Sequence, residues 1–225
     1  MRSDRVEFTN LDGTQLSGVL EVPSGPVKAW ALFAHCFTCS KKSLAASRVA
    51  RGLAANGIGV LRFDFTGLGE SGGDFSTAGF SSDVSDLIDA AAWMKREGKP
   101  ISLMIGHSLG GAATVVAAGQ VEDVQAVVTI GAPSDADHVI EQFRESVPEI
   151  EAKGAAQVQL GGRPFTLSRE FLDDVKTASV RDAAEKLRKP FLILHAPGDD
   201  VVGIDNATQL FLANKALWVF GREEK

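Results

Sequence analysis

The stretch Leu103-Met-Ile-Gly-His-Ser-Leu-Gly-Gly111 decides the fold class of this chain. It begins as an apolar, strand-like run that stops at Gly106, and a helical pattern of small residues starts just after Ser108. Such a tight turn needs residues that are nearly free of side chain two before and two after the serine, and both are glycine. The pattern predicts that Ser108 stands clear at the carboxyl end of a sheet, with the Leu109 N–H placed to bind an oxyanion. The alternative is a glycine-rich turn around a serine without a role.

Extended and helical patterns alternate along almost the whole chain. A hairpin of two alternating strands comes first, and short continuous apolar runs then predict strands buried on both faces. The predicted strands cover residues 5–9, 15–22, 30–34, 59–63, 101–105, 126–130, 191–195 and 216–220. The predicted helices cover residues 44–56, 82–96, 112–119 and 205–213. This order predicts a single α/β domain over residues 1–225 with a doubly wound, mostly parallel sheet.

Residues 134–189 interrupt this alternation with a polar, charged segment. Helical patterns near 136–146, 168–177 and 180–187 surround two short alternating runs joined by Gly161-Gly162, which predict a small hairpin. An insertion after the strand that follows Ser108 would lie over the carboxyl edge of the sheet. We therefore expect residues 134–189 to form a small helical cap or lid. An ordinary helical connection is the alternative.

The composition argues against several classes of partner. The 225 residues are 44% hydrophobic, enough for one sizeable core, and carry a net charge of −6 with scattered basic residues. We therefore expect no nucleic-acid partner. No apolar run approaches membrane-spanning length and the first residues lack an apolar leader, so we expect a cytoplasmic protein without a membrane partner. We expect no cofactor and no metal.

The two cysteines, Cys36 and Cys39, form a Cys-x-x-Cys motif beside His35. Redox or metal chemistry is one interpretation of this spacing, but a zinc site would need further ligands nearby. The favoured interpretation is a pair of small loop residues that stay reduced in the cytoplasm.

Four segments together resemble the α/β-hydrolase superfamily. Besides the turn at Ser108, they are Phe33-Ala-His-Cys-Phe37, Phe63-Asp-Phe-Thr-Gly-Leu-Gly-Glu-Ser71 and Leu194-His-Ala-Pro-Gly-Asp-Asp-Val-Val202. The resemblance extends from about residue 5 to about residue 213. Residues 34–40, 61–69 and 171–174 are most similar to the hydrolase half of bifunctional α/β-hydrolase/OsmC-type proteins. No stretch of the sequence resembles the OsmC-type half.

The resemblance implies a role for each matching residue. Ser108 matches the nucleophile, and Asp199 matches the acid, with Asp200 as its alternative. The backbone N–H groups of Phe37 and Leu109 match the oxyanion hole. Asp64 matches a residue that braces its turn rather than the acid.

One expected residue has no counterpart. The family order is serine, acid and then histidine, but no histidine follows His195, so the sequence is expected to be truncated or altered at its end. Either His138 moves in from the cap as the base, or water fills its place. We therefore expect a serine ester hydrolase that acts on small acyl esters through an acyl-serine intermediate, with activity that is either complete or impaired by the absence of the usual histidine. The alternative is a non-catalytic hydrolase fold with a binding role.

The same sequence end predicts self-association. Without a final helix, apolar residues of the helix over 44–56 would lose cover, and the strand over 216–220 would lie at a sheet edge. We expect a homodimer through this C-terminal edge.

Overall fold

The computed structural model describes residues 1–214 and the backbone of residues 217–218. The strands are β1 (Arg2–Thr9), β2 (Gln15–Val22), β3 (Ala29–Ala34), β4 (Ile58–Phe63), β5 (Ile101–His107), β6 (Ala126–Ile130), β7 (Ala155–Leu160), β8 (Arg163–Ser168), β9 (Phe191–Leu194) and β10 (Leu217–Trp218). The helices are α1 (Leu44–Ala55), α2 (Phe80–Arg96), α3 (Leu109–Ala118), α4 (Val147–Lys153), α5 (Arg169–Thr177), α6 (Val180–Lys186) and α7 (Asp205–Asn214), with a 3₁₀ helix over Ala136–Ser146.

The central sheet has eight strands in the order β1-β2-β4-β3-β5-β6-β9-β10. β2 is antiparallel to both of its neighbours, β1 and β4. The other strands of this sheet, β4, β3, β5, β6, β9 and β10, run parallel to one another. The predicted fold class is therefore confirmed. Of the strand expected over 216–220, only Leu217–Trp218 lies among the described residues, where it pairs with β9.

Apolar residues cover both faces of this sheet, as the doubly wound arrangement requires. On one face, α1 packs Ala46 and Ala50 against Phe33 and Ile105. The larger cluster lies on the other face and includes side chains of α2 and α3. Because the parallel strands point the same way, their carboxyl ends meet at one edge, where the loops after β3, β5, β6 and β9 come together.

The segment between β6 and β9 contains the predicted hairpin. β7 and β8 pair in antiparallel register around Gly161 and Gly162, whose φ angles of 57° and 77° suit a tight hairpin turn. The first helical pattern forms a 3₁₀ helix that is kinked at Phe143, and α4, which was not predicted, follows it. α6 packs beside α3 and α7. Whether residues 134–189 act as a lid stays a prediction.

Among the described residues, no helix combines the length and the apolarity that crossing a membrane requires.

Candidate active site

Ser108 occupies a strained turn between β5 and α3. Its φ of 55° and ψ of −129° are rare for a residue with a side chain. The Ser108 N–H donates to the Ile130 carbonyl at 2.9 Å, which ties the turn to β6. A Cβ atom at Gly110 would come within 2.1 Å of the His35 carbonyl oxygen, and one at Gly106 within 2.4 Å of the Gly110 carbonyl oxygen. The backbones of β3, β5 and α3 therefore meet here at distances that only glycine allows.

The Ser108 side chain faces a cleft of about 280 Å³. The structure brings three of the predicted site residues, Ser108, Asp199 and Phe37, together in its lining. Within residues 1–214, no group hydrogen-bonds the Ser108 hydroxyl. The Leu109 N–H lies at the first position of α3, where a helix has no acceptor of its own to offer.

The loop over residues 35–41, called the oxyanion loop below, is oriented by His35. The His35 Nε2 atom accepts the Phe65 N–H at 3.3 Å, so the ring proton is on Nδ1, which donates to the Cys36 carbonyl at 2.9 Å. Burial lowers the pKa of His35, which favours this neutral form. Because the peptide is trans, fixing the Cys36 carbonyl turns the Phe37 N–H to the opposite side.

The structure contains a disulfide bond between Cys36 and Cys39. The interpretation of two reduced loop residues is therefore wrong. The Cys39 N–H donates to the Cys36 carbonyl at 3.0 Å, and Thr38 adopts a φ of 58°, so the turn brings the two Cα atoms to 5.2 Å, within disulfide range. In the part of the chain that the structure describes, no group of side chains could hold a metal ion.

Asp64 braces the end of the oxyanion loop, as the resemblance implied. Its carboxylate accepts the Lys41 N–H and the Glu70 N–H and forms an ion pair with the Lys41 ammonium. The side chains of Lys41 and Asp64 are only 2% and 1% exposed. Lys41 also pairs with Glu70, and together with Lys42 it lowers the pKa of that carboxyl to about 2. Sequence reasoning missed Lys41, because a lysine in a polar loop gives no sign of burial.

Asp199 lies in the turn over residues 196–203, called the acid turn below. Its Oδ1 atom accepts the N–H groups of Val201 and Val202 at 3.0 and 2.9 Å. Its Oδ2 atom is the group that a Cβ at Gly131 would approach, at 3.2 Å, so this oxygen faces the loop after β6. Asp200 is exposed and does not line the cleft. The geometry therefore favours Asp199 over Asp200.

Two histidines hold the acid turn. The Nε2 groups of His138 and His195 donate to the carbonyls of Val201 and Val202 at 2.9 and 2.6 Å. His138 thus comes from the cap segment to within two residues of Asp199. It is not bonded to Ser108.

His107 lines the cleft next to Ser108, and its Nδ1 atom is buried without a hydrogen-bond partner among the described residues. Burial lowers the pKa of His107, and the nearby Asp199 carboxylate partly offsets this effect.

The cap segment contacts the oxyanion loop at two points. Arg163, on β8, donates to the Thr38 carbonyl and lies over the Phe165 ring. The Phe171 ring, on α5, stacks on Phe37 with 5.7 Å between centroids. The oxyanion loop is therefore partly covered by residues more than a hundred positions away in sequence.

A family model described as Alpha/beta hydrolase family matches residues 31–218. The chain therefore belongs to this family, whose fold it shares. Among solved structures, the esterase domain of a Rhodothermus marinus protein is 38% identical, with a TM-score of 0.75. The alignment covers 98% of this chain and 87% of that domain.

Two curated relatives are also similar. The uncharacterized protein YfhR of Escherichia coli K12 is 25% identical, over 93% of this chain and 67% of its own length. The lysophosphatidylserine lipase ABHD12 of Danio rerio is 31% identical, over 71% of this chain and 40% of its own length. Support for hydrolase and esterase activity in general comes from the family match and from the 38% identical esterase domain.

Proposed function

We propose that this protein is a serine esterase that cleaves small acyl esters through an acyl-serine intermediate. The observation that carries the proposal is the strained Ser108 turn, which opens into the same cleft as Asp199 and the oxyanion loop. A serine held at an unfavourable φ and ψ by glycine contacts is expected where its hydroxyl must be presented to a substrate.

The roles follow from the geometry. The Ser108 Oγ attacks the ester carbonyl, and the Phe37 and Leu109 N–H groups donate to the oxyanion that forms. One such donor contributes about 3 kcal/mol to transition-state stabilisation in comparable sites. Collapse of the tetrahedral intermediate expels the alcohol and leaves the acyl group on Ser108, and water then releases the acid.

The proton of the Ser108 hydroxyl needs an acceptor, for which we propose water, with His138 as the alternative. His138 could reach Ser108 only by leaving the Val201 carbonyl. Asp199 then orients whichever base is used. Without a protein base, an oxyanion hole and substrate binding alone still accelerate acyl transfer about 10³–10⁴-fold over water.

The size of the cleft, about 280 Å³, supports a small substrate, since sites for larger ligands reach about 1,000 Å³. The esterase domain that is 38% identical supports ester chemistry. A binding role without catalysis is the alternative, and the unpartnered Ser108 hydroxyl is the observation that favours it.

We also propose a subfamily relation, a cellular location and an oligomeric state, each of which comes from the sequence. The motifs at residues 34–40 and 171–174 support a relation to the hydrolase half of OsmC-type bifunctional proteins. A cytoplasmic location is proposed from the sequence alone, and the Cys36–Cys39 disulfide, a bond that reducing compartments disfavour, is an observation against it. A homodimer through the C-terminal edge is supported by Ala45, Val49 and Leu53, which are only partly buried on α1. Analytical ultracentrifugation of the protein at tens of micromolar tests the dimer. A sedimenting species with the mass of a monomer would contradict it.

The test of the esterase is hydrolysis of p-nitrophenyl acetate by wild type and Ser108→Ala. We expect Ser108→Ala to reduce hydrolysis to the solvent background, and Ser47→Ala, a matched change on α1, to leave it unchanged. A fluorophosphonate probe should label wild type and not Ser108→Ala, because it requires only nucleophile activation. Equal hydrolysis by wild type and Ser108→Ala would favour the binding role.

A further inference from the structure

Two spaces meet at Phe37. On one side is the cleft that contains Ser108, and on the other is a narrow space of about 10 Å³, room for about one water molecule. Cys36 and Phe37 line both spaces. The residue that supplies an oxyanion N–H through its backbone is thus also the partition between the cleft and a second space.

Aromatic rings form the walls of the narrow space. The ring centroids of Phe37 and Phe171 are 5.7 Å apart, those of Phe37 and Phe75 5.8 Å, and those of Phe75 and Phe171 6.5 Å. These rings touch only through their faces and edges, so removing one would open the space without breaking a hydrogen bond. The space would then accept a flat or extended apolar group.

The narrow space has a polar end at Asp83. This side chain is partly buried at the start of α2, and no described residue hydrogen-bonds its carboxyl. Burial and the neighbouring carboxyls of Asp86 and Asp174 raise its pKa well above the usual range. A partly buried carboxyl without a protein partner is satisfied by a hydroxyl or a water molecule.

We propose that the Phe37 ring limits the length of the acyl group, and that the space behind it, ending at Asp83, is a closed extension of the acyl site. The acyl chain is bonded to the carbon whose oxygen the Phe37 N–H binds, so the chain starts within reach of the Phe37 ring. In the wild-type protein, the ring stops the chain after a few carbons. This inference rests on the proposed esterase function.

The experiment compares p-nitrophenyl acetate, butyrate and octanoate with wild type, Phe37→Ala and Phe171→Ala. We expect the kcat/KM ratio of octanoate to acetate to rise about tenfold or more in Phe37→Ala and several-fold in Phe171→Ala. Phe171→Ala leaves the oxyanion loop sequence intact. A changed ratio in this variant therefore cannot be caused by a substitution that displaces the Phe37 N–H. Phe165→Ala is the matched control, because that ring belongs to the same aromatic group but lines neither space.

Two further sets of esters test which part of the substrate enters the extension and whether the extension ends at Asp83. Acetate esters of longer alcohols should show the same preference in wild type and in Phe37→Ala, because the extension takes the acyl part. In the Phe37→Ala background, Asp83→Leu should lower the preference for 8-hydroxyoctanoate over octanoate.

The outcomes separate this inference from the esterase function. Hydrolysis that does not depend on Ser108 with any ester would overturn both. Hydrolysis that depends on Ser108, with an unchanged octanoate-to-acetate ratio in both Phe37→Ala and Phe171→Ala, would overturn only the role of Phe37. A shift confined to the alcohol series would also overturn it.

Discussion

The two sides of the cleft are built in different ways. The oxyanion loop is fixed by a disulfide, by the two hydrogen bonds of the His35 ring and by the buried Lys41–Asp64 pair. The acid turn is largely exposed, and the Asp199 side chain remains 25% exposed. This turn is held by hydrogen bonds to the backbone of Val201 and Val202, whose partners are the side chains of His138, His195 and Asp199.

This difference matches what each side is proposed to do. A backbone N–H stabilises an oxyanion only when it is aimed before the reaction begins, since reorganisation would cost part of the benefit. A carboxylate that acts through another group needs only its charge and an approximate position, because it does not itself contact the reacting atoms. We therefore expect changes on the oxyanion side to cost more than changes on the acid side.

Lys41→Met should have the largest effect on the free energy of unfolding. It leaves the Asp64 carboxylate buried without its cation, and breaking a buried pair in this way costs about 3–5 kcal/mol. Urea unfolding measures the change. Lys42→Met is the matched control, because Lys42 is 62% exposed in its pair with Glu70, and we expect a much smaller loss. Equal losses would show that the burial of Lys41 adds nothing.

Gly110→Ala should destabilise the Ser108 turn by about 2–3 kcal/mol, as overpacking of a tight core position does. The new methyl group would lie 2.1 Å from the His35 carbonyl oxygen, so α3 or the oxyanion loop must shift. Thermal unfolding and p-nitrophenyl acetate hydrolysis should both decline. Gly119→Ala at the other end of α3 is the control, since its nearest atom is 3.6 Å away and no positive φ is required. A neutral Gly110→Ala would contradict the close approach.

Removing the disulfide with Cys36→Ser and Cys39→Ser together should lower stability by about 2 kcal/mol, the chain-entropy value for so short a loop. The Phe37 N–H would be aimed less well, so we expect kcat for acetate to fall more than KM rises. Dithiothreitol should impair wild type in the same direction and leave the double variant unchanged. An effect of dithiothreitol on both would point to another target.

His138→Ala should have the smallest effect, about 1 kcal/mol of stability for one lost hydrogen bond to the acid turn. We expect hydrolysis that depends on Ser108 to persist within a few-fold, as it should if water accepts the proton. Loss of all such hydrolysis, not restored in His138→Gln, would instead identify His138 as the base.

Much of the fold and part of the site could be predicted because they rest on local patterns. The Ser108 turn follows from glycine spacing, and the parallel sheet follows from alternating strand and helix patterns. The choice of Asp199 over Asp200 as the acid came from the resemblance and stays a prediction; Asp199 lines the cleft, and Asp200 does not.

The rest depended on contacts between distant segments. Burial of Lys41 requires Asp64 and Glu70 to converge on it, and the cover over the oxyanion loop comes from Phe171 at Phe37 and from Arg163 at Thr38. The disulfide was misjudged because a cytoplasmic location was used to assign the redox state of the two cysteines, and the turn at Thr38 that brings them within bonding distance gives no signal in the sequence.

The bond from Arg163 to the Thr38 carbonyl has a consequence for how selectivity would be expressed. One four-residue turn carries both the proposed oxyanion donor and the acceptor that anchors the β7–β8 hairpin. A ligand that lifts the hairpin therefore loosens the group that stabilises its own transition state. Poorly fitting esters would still occupy the cleft but turn over slowly, so discrimination would appear in kcat rather than in affinity.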